Sequence, residues 1–293
     1  MRFAAFGTVR MDIHVYQDLD EIGNREEIKI DEMRMKVGGS VYNTASILTE
    51  RGEDVVLYTP GTGDAFADLI HVKLKKQRIN YIVDPRDIND TASSLIFVNR
   101  TGGKKMISYD GDRRDAHILT KLLKDAGQFD VFYTSFYEIN TFNYRTIGEI
   151  MDVCSGSFVD LSPLIYEVDP AVIRHILSRV KMLSGTEQEY EMLCGLLEIS
   201  DPAALEASFG IGRLYIKMGA QGARVYIDGA PGSVCTPGEK KSSKDTTGCG
   251  DTFNAGILYA FSHAYDDGQA LEEAVSMATR VAYEGLVPGM FRP

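Results

Sequence analysis

The sequence predicts an α/β fold in which a central, mainly parallel sheet carries helices on both faces and a small β-sheet lid, all within the span 1–293. Three observations predict it. Short, continuously apolar runs alternate with stretches of helical spacing, the pattern of βα units whose strands are covered on both sides. Two early stretches, about 12–37 and 91–110, instead alternate polar and apolar residues, as strands with one wet face do. The composition, 44% hydrophobic and 25% charged over 293 residues, suffices for one large core.

The chain opens with Arg2 to Thr8, an apolar run that ends in Gly7 and suits a buried first strand. Asp12 follows directly. Ligands gather at the carboxyl ends of parallel strands, so this acid is placed to accept hydrogen bonds from a polyol; a solvated turn residue is the plainer alternative. The alternation in Glu26 to Asp31 and Met33 to Val37 predicts lid strands. Gly38 and Gly39 then open a helix whose Val41, Ala45 and Leu48 share a face, which turns Asn43 another way; taken alone, glycines there serve packing as readily as binding. An Asn side chain both donates and accepts, as hydroxyl recognition requires. Ala92 to Val98 and Lys105 to Tyr109 flank Arg100-Thr101-Gly102-Gly103 and read as a hairpin completing the lid.

Strands are predicted at Asp54 to Thr59, Val131 to Thr134, Phe158 to Leu161, Val180 to Ser184 and Leu214 to Met218. Tyr144 to Val153 and Pro170 to Leu177 read as intervening helices, and Leu271 to Glu284 as the last one. Asp160 stands at a strand end, where side chains face a ligand crevice. Lys217 to Ala223 has the strand-Gly-x-x-Gly-strand form of a hairpin. Lys240, Lys241 and Lys244 form a run that is either simply solvated or attracts an anion to the loop that follows.

That loop is the most informative stretch. Asp245 to Gly256 reads DTTGCGDTFNAG, a Gly248-Cys249-Gly250 turn that empties into a helix with Phe253, Ile257, Leu258 and Phe261 on its buried face. The first N–H groups of a helix lack internal partners and, with the aligned peptide dipoles, attract an anion. Asp251 puts a carboxylate beside that anion. Helix capping explains an Asp there, but not the flanking glycines. Phosphoryl transfer explains both, with the amides holding the charge of the transferred group and Asp251 deprotonating an attacking hydroxyl. An ordinary Asp, with a pKa near 3.9, is ionised at pH 7 yet a weak base toward an alcohol. Cys249 at a helix N-terminus is a candidate for raised thiol reactivity.

The DTTGCGD segment closely resembles the C-terminal signature of the ribokinase-like (PfkB) carbohydrate kinases, with Cys249 where that family usually has Ala. Gly38-Gly39 with Asn43 and Ala45 resembles its N-terminal pattern, Gly61 to Phe66 its GDDxFG turn, and Lys217 to Gly222 its K-x-G-x-x-G turn. The resemblance implies an ATP-dependent sugar kinase with Asp251 as base and the Gly248 to Asp251 amides as anion hole. Fructose-, ribose- or 2-keto-3-deoxygluconate-like acceptors are implied, with a nucleoside kinase or a non-catalytic sugar-sensing relative as the alternatives. It further implies sugar contacts from Asp12, Gly38, Gly39 and Asn43, and nucleotide contacts from Lys217, Gly219, Gly222 and Ser184. Mg2+ held through water by Glu187 follows if Ser184 and Glu187 occupy the family's NxxE positions; a helix capped by Thr or Ser with a following Glu explains the same residues. K+ is left open, with Asp245 as its candidate ligand. The lid is implied to cover the sugar and, in many members, to form a homodimer.

The net charge of −11 argues against nucleic-acid or anionic-membrane partners, which require a basic face. No apolar run approaches the roughly 20 residues of a membrane span, and the N-terminal MRFAAFGTVR is too short for a signal peptide, so a cytoplasmic location is expected. Cys154, Cys194, Cys235 and Cys249 lie far apart with no CxxC pair, indicating neither a zinc site nor a disulfide framework.

Overall fold

The computed structural model describes residues 1–17, 23, 26–30, 32–99, 104–111, 115–238, 246–285 and 290–291. Among these the strands are β1 (Arg2–Phe6), β2 (Arg10–Val15), β3 (Met33–Gly38), β4 (Asp54–Tyr58), β5 (Gly61–Thr62), β6 (Asn80–Ile82), β7 (Ile88–Asn89), β8 (Ser93–Val98), β9 (Lys104–Tyr109), β10 (Val131–Ser135), β11 (Gly156–Asp160), β12 (Met182–Thr186), β13 (Arg213–Lys217), β14 (Ala223–Ile227) and β15 (Ala230–Cys235). Nine of them form one sheet in the order β15-β14-β13-β12-β11-β10-β1-β4-β6. It is parallel from β6 across to β13, while β14 and β15 continue it antiparallel.

The central strands read as unbroken apolar runs because both of their faces are covered. Phe3, Ala5, Val55, Leu57, Val131 and Tyr133 point into one core, packed under the helices Ser40–Glu50, Ala67–Gln77, Cys249–Ser262 and Asp267–Glu284. Ala4, Phe6, Val56, Tyr58 and Phe132 point into the other, under the helices Ala116–Asp125, Tyr144–Val153, Pro170–Leu177, Glu187–Leu197 and Pro202–Phe209. Successive residues of one strand thus enter opposite layers, as the pleat demands.

The second sheet has the order β3-β2-β8-β9, with only the β2–β8 pair parallel. Asp12, expected just beyond the first strand, lies inside β2, opposite Lys36 and Ser94. The alternation in 26–30 does not become a strand, since a period-2 pattern still needs a sheet edge to pair with. β12 runs two residues further than the apolar pattern indicated, to Thr186, and that shift changes which side chains reach the site. The tip Arg100 to Gly103 lies outside the described residues, though the β8–β9 pairing that it joins is present from Val98 and Lys104 onward.

Candidate active site

A cavity of about 610 Å³ opens where the parallel strands end. Asp160, Thr186 and Lys217, from the ends of β11, β12 and β13, line it from below. The lid contributes Asp12, Ser94, Ile96 and Met106, while the β13–β14 turn and the last helix contribute Gly219, Gly222, Ala278 and Tyr283 at the opposite end. Cys249, Gly250 and Asp251 lie in its lining between the two.

The glycine loop is built to leave amides open. Gly248 caps the helix at φ 82°, a left-handed conformation that glycine adopts without strain. The first helical hydrogen bond runs from the Thr252 N–H to the Gly248 carbonyl at 2.9 Å, so the N–H groups of Gly250 and Asp251 precede the ladder. The Cys249 N–H turns back to Thr246 O at 3.2 Å, and its half-buried thiol sits in the lining.

Asp251 is gripped from both sides. Ser40 Oγ donates to its Oδ1 and Asn43 Nδ2 to its Oδ2, each at 2.7 Å. Both donors belong to the first turn of Ser40–Glu50, and the two preceding glycines let the chain entering that turn pass tightly against Asp12 and Thr8. A Cβ on Gly39, at φ 115°, would stand 2.4 Å from Thr8 O, and one on Gly38 would stand 1.9 Å from Asp12 Oδ2. Burial pushes the Asp251 carboxyl above its ordinary pKa, opposed by Asn43, Ser40 and Lys217, which makes it a better base than an exposed aspartate. Asp12 is pushed up to about 6 by burial, with Arg10 and a hydrogen bond to Ser94 pulling the other way.

Beneath the loop, a one-directional chain of hydrogen bonds fixes the helix start. Ser184 Oγ donates to Asn254 Oδ1 at 2.7 Å, Asn254 Nδ2 to Tyr133 Oη at 3.4 Å, and Thr44 Oγ1 to the Asp251 carbonyl at 3.1 Å. Tyr133 and Thr44, 3.1 Å apart, complete it. Ser184 is fully buried and belongs to this support rather than to the cavity wall, which corrects its expected place as a nucleotide contact. Glu187 is likewise displaced. It is the first residue of its helix and exposed, whereas Thr186 and Glu189 line the cavity. Thr186 caps the helix, and Glu189 Oε2 accepts from the Thr186 N–H at 2.8 Å, a reciprocal capping box. Thr186 and Glu189, rather than Ser184 and Glu187, reach the cavity because β12 ends two residues later than its apolar pattern indicates.

Lys217 Nζ donates to Asp160 Oδ1 at 2.7 Å, and both side chains are nearly buried. Burial opposes the lysine's charge, but Asp160, Glu189 and Asp251 outweigh it and raise its pKa. Burial pushes the Asp160 carboxyl up against the pull of that same ammonium. Ser40, Thr44, Tyr137 and Glu138 belong to the site or its support and had not been singled out; Ser40 was readable as the residue one turn before Asn43. Asp245, Lys240, Lys241, Lys244 and Arg100 lie outside the described residues.

Among the described residues no group of three or more His, Cys, Asp or Glu is arranged to cage a metal. Magnesium does not require one, because it keeps its waters and binds through one or two carboxylates plus substrate phosphates, a donor set that Glu189 fits.

A profile of the pfkB family carbohydrate kinases matches residues 2–284. The chain is 24% identical over 242 residues to a fructokinase of Rhizobium leguminosarum bv. trifolii, covering 75% of this chain and 70% of that protein. It is 32% identical over 140 residues to the ribokinase of Bacillus subtilis, 47% of this chain and 43% of that one. In fold it is similar to the ribokinase of Thermotoga maritima, with a TM-score of 0.79, 19% identity and coverage of 100% and 96%. A Burkholderia thailandensis nucleoside kinase in complex with inosine gives a TM-score of 0.77 at 19% identity, covering 99% and 93%. No helix among the described residues is long and apolar enough to cross a membrane.

Proposed function

The chain belongs to the pfkB family of carbohydrate kinases and is a phosphotransferase, and from that premise we propose that it moves the γ-phosphoryl group of ATP to an alcohol of a small, uncharged sugar or nucleoside. The observation that carries this reading is the Asp251 carboxylate, inside the cavity, held on both oxygens and adjoining the open amides of Gly250 and Asp251. A carboxylate so fixed faces an alcohol in one orientation, and positioning supplies much of the barrier reduction in phosphoryl transfer. Asp251 takes the hydroxyl proton, the amides hold the charge of the transferred group, and Asp12 and Asn43 orient the acceptor. The nucleotide lies toward the Gly219 to Gly222 turn and the Asp267–Glu284 helix. Glu189, together with phosphate oxygens, would hold Mg2+, which would supply neutralising charge.

Among the described residues, the acceptor end favours a neutral ligand. Asp12 and Glu138 are acidic, and the Arg10 guanidinium is engaged by Asp110 at 2.8 Å and Ser94 at 3.2 Å. This weighs against a sugar acid such as 2-keto-3-deoxygluconate. Ile96 and Met106 give that end an apolar wall, which suits the base of a nucleoside as well as the ring of a sugar.

ATP consumption measured with ribose, fructose, 2-keto-3-deoxygluconate, cytidine and inosine is expected to favour one of the neutral acceptors. Asp251→Asn should lower kcat with that acceptor by about 10²–10⁴ while keeping ATP binding. Near-normal turnover in the variant would refute Asp251 as base.

The outer face of the lid supports a second copy of the chain as partner. Met35, Ile13, Leu95 and Ile107 stand directly opposite one another across β3, β2, β8 and β9, and three of them are 40–54% exposed. An apolar row of this kind is the material of an isologous contact.

A further inference from the structure

Lys217 and Asp160 form a buried ion pair inside the lining of the proposed site. Such a pair is a poor device for stability, because removing two charges from water offsets most of their attraction. Its placement has another consequence. Lys217 Nζ lies 3.5 Å from where a Cβ on Gly250 would stand, so the ammonium adjoins the anion loop and nothing at position 250 screens it. Among the described residues of the cavity lining, the cationic side chains are Lys217 and Arg10, and Arg10 is engaged at the lid. Among its described residues the loop adds neutral amides and no cation, while Asp160, Glu189 and Asp251 surround the place where a phosphoryl group would carry charge on three oxygens.

We propose that Lys217 is a catalytic residue whose ammonium donates to the phosphoryl group in transfer, and that Asp160 is the positioning residue that anchors it beside Gly250. This rests on the kinase reading of the site. In the step, the acceptor hydroxyl oxygen bonds to the γ-phosphorus as the bond from that phosphorus to the β–γ bridging oxygen breaks. The hydroxyl proton passes to Asp251, and the bridging oxygen leaves on ADP with its electron pair. Lys217 keeps its protons throughout and offsets the charge that spreads over the transferring oxygens. Asp160 denies the long lysine side chain its other rotamers, so the ammonium is in place before the nucleotide arrives.

The test compares Lys217→Met, Asp160→Asn and the double variant with the wild type. Turnover is read with the best of ribose, fructose, cytidine and inosine, and Mg-ADP binding by calorimetry. Lys217→Met is expected to lose about 10²–10³ in kcat, the range for one lost donor to a transition-state anion, with the Mg-ADP Kd within about threefold of wild type. Asp160→Asn should lose about tenfold in kcat with the Mg-ADP Kd again unchanged, a split that a merely structural role would not produce. Should Lys217→Met fail to fold with Asp160 left unpaired, the double variant, which removes both charges, carries the same expectation for kcat. A kcat within about threefold of wild type in the folded Lys217 variants, or equal losses of ADP binding and turnover, overturns the proposal. Asp251→Asn assayed alongside separates the two failures: if it is inactive while Lys217→Met turns over normally, only the role of Lys217 falls, and if it is active the kinase reading falls as well.

Discussion

Asp12 and Asp251 are carboxyls kept in a partly dry cavity, and their raised pKa values have a cost that titration exposes. The folded protein holds a proton on Asp12 up to about pH 6, against an ordinary value of 3.8. Between these limits the folded state binds more protons than the unfolded one, so the group's contribution to stability is complete below about pH 4 and is lost as pH rises through 6. Arg10 and Lys36 moderate the effect and the Asp251 charge adds to it. Asp12→Asn keeps a polar partner for Ser94 without the charge. It should therefore raise Tm more at pH 7.5 than at pH 4.5, as followed by differential scanning fluorimetry; parallel Tm curves for the two proteins would mean that Asp12 is solvated. Asp251, Asn43 and the glycines at 38 and 39 were legible in the sequence because unusual residues stood at fixed offsets from a helix start. Glu189 was not. A strand buried on both faces has no alternation to mark its last residue, and a shift of two positions exchanged an exposed acid for the one in the cavity.

The Cys249–Ser262 helix carries the site only because its first turn is anchored from below. Thr44 donates to the Asp251 carbonyl and meets the Tyr133 hydroxyl, with both residues fully or almost fully buried. Thr44→Val preserves shape and deletes the hydroxyl, leaving the buried Tyr133 O–H without this acceptor and the Asp251 carbonyl without this donor. The expected loss is about 1–3 kcal/mol of stability, together with a fall in kcat larger than the change in the KM for ATP, while Thr44→Ser restores both. Equal stability in the Val and Ser variants, by chemical denaturation, would show that the chain of hydrogen bonds carries no weight. The element itself was readable from DTTGCGD and its apolar period, but its support was not. Thr44, Tyr133 and Asn254 come from three separated segments, and only the sheet order brings β10 beneath the helices at Ser40 and Cys249.

Across the molecule, a mainly parallel sheet was legible because βα alternation leaves few arrangements, and the lid because its strands alternate where the others do not, whereas the edge strands β6 and β15 and the nine-strand order were not. The lid's outward row has a measurable consequence for assembly. Ile107→Glu places a charge at the β9 end of that apolar row, and light scattering should then report a monomer where a dimer is expected of the wild type. A wild type that is monomeric throughout the concentration series would remove the partner copy. The two surfaces of the lid also share a single strand. In β2 the pleat sends Asp12 toward the cavity and Ile13 to the opposite side, one residue apart. Inserting or deleting one amino acid between Arg10 and Asp12 would exchange them, turning an oily side chain into the cavity and a carboxylate onto the outer apolar row. The segment can therefore diverge by substitution while its length stays fixed, and any reshaping of acceptor preference must proceed at every second position along it.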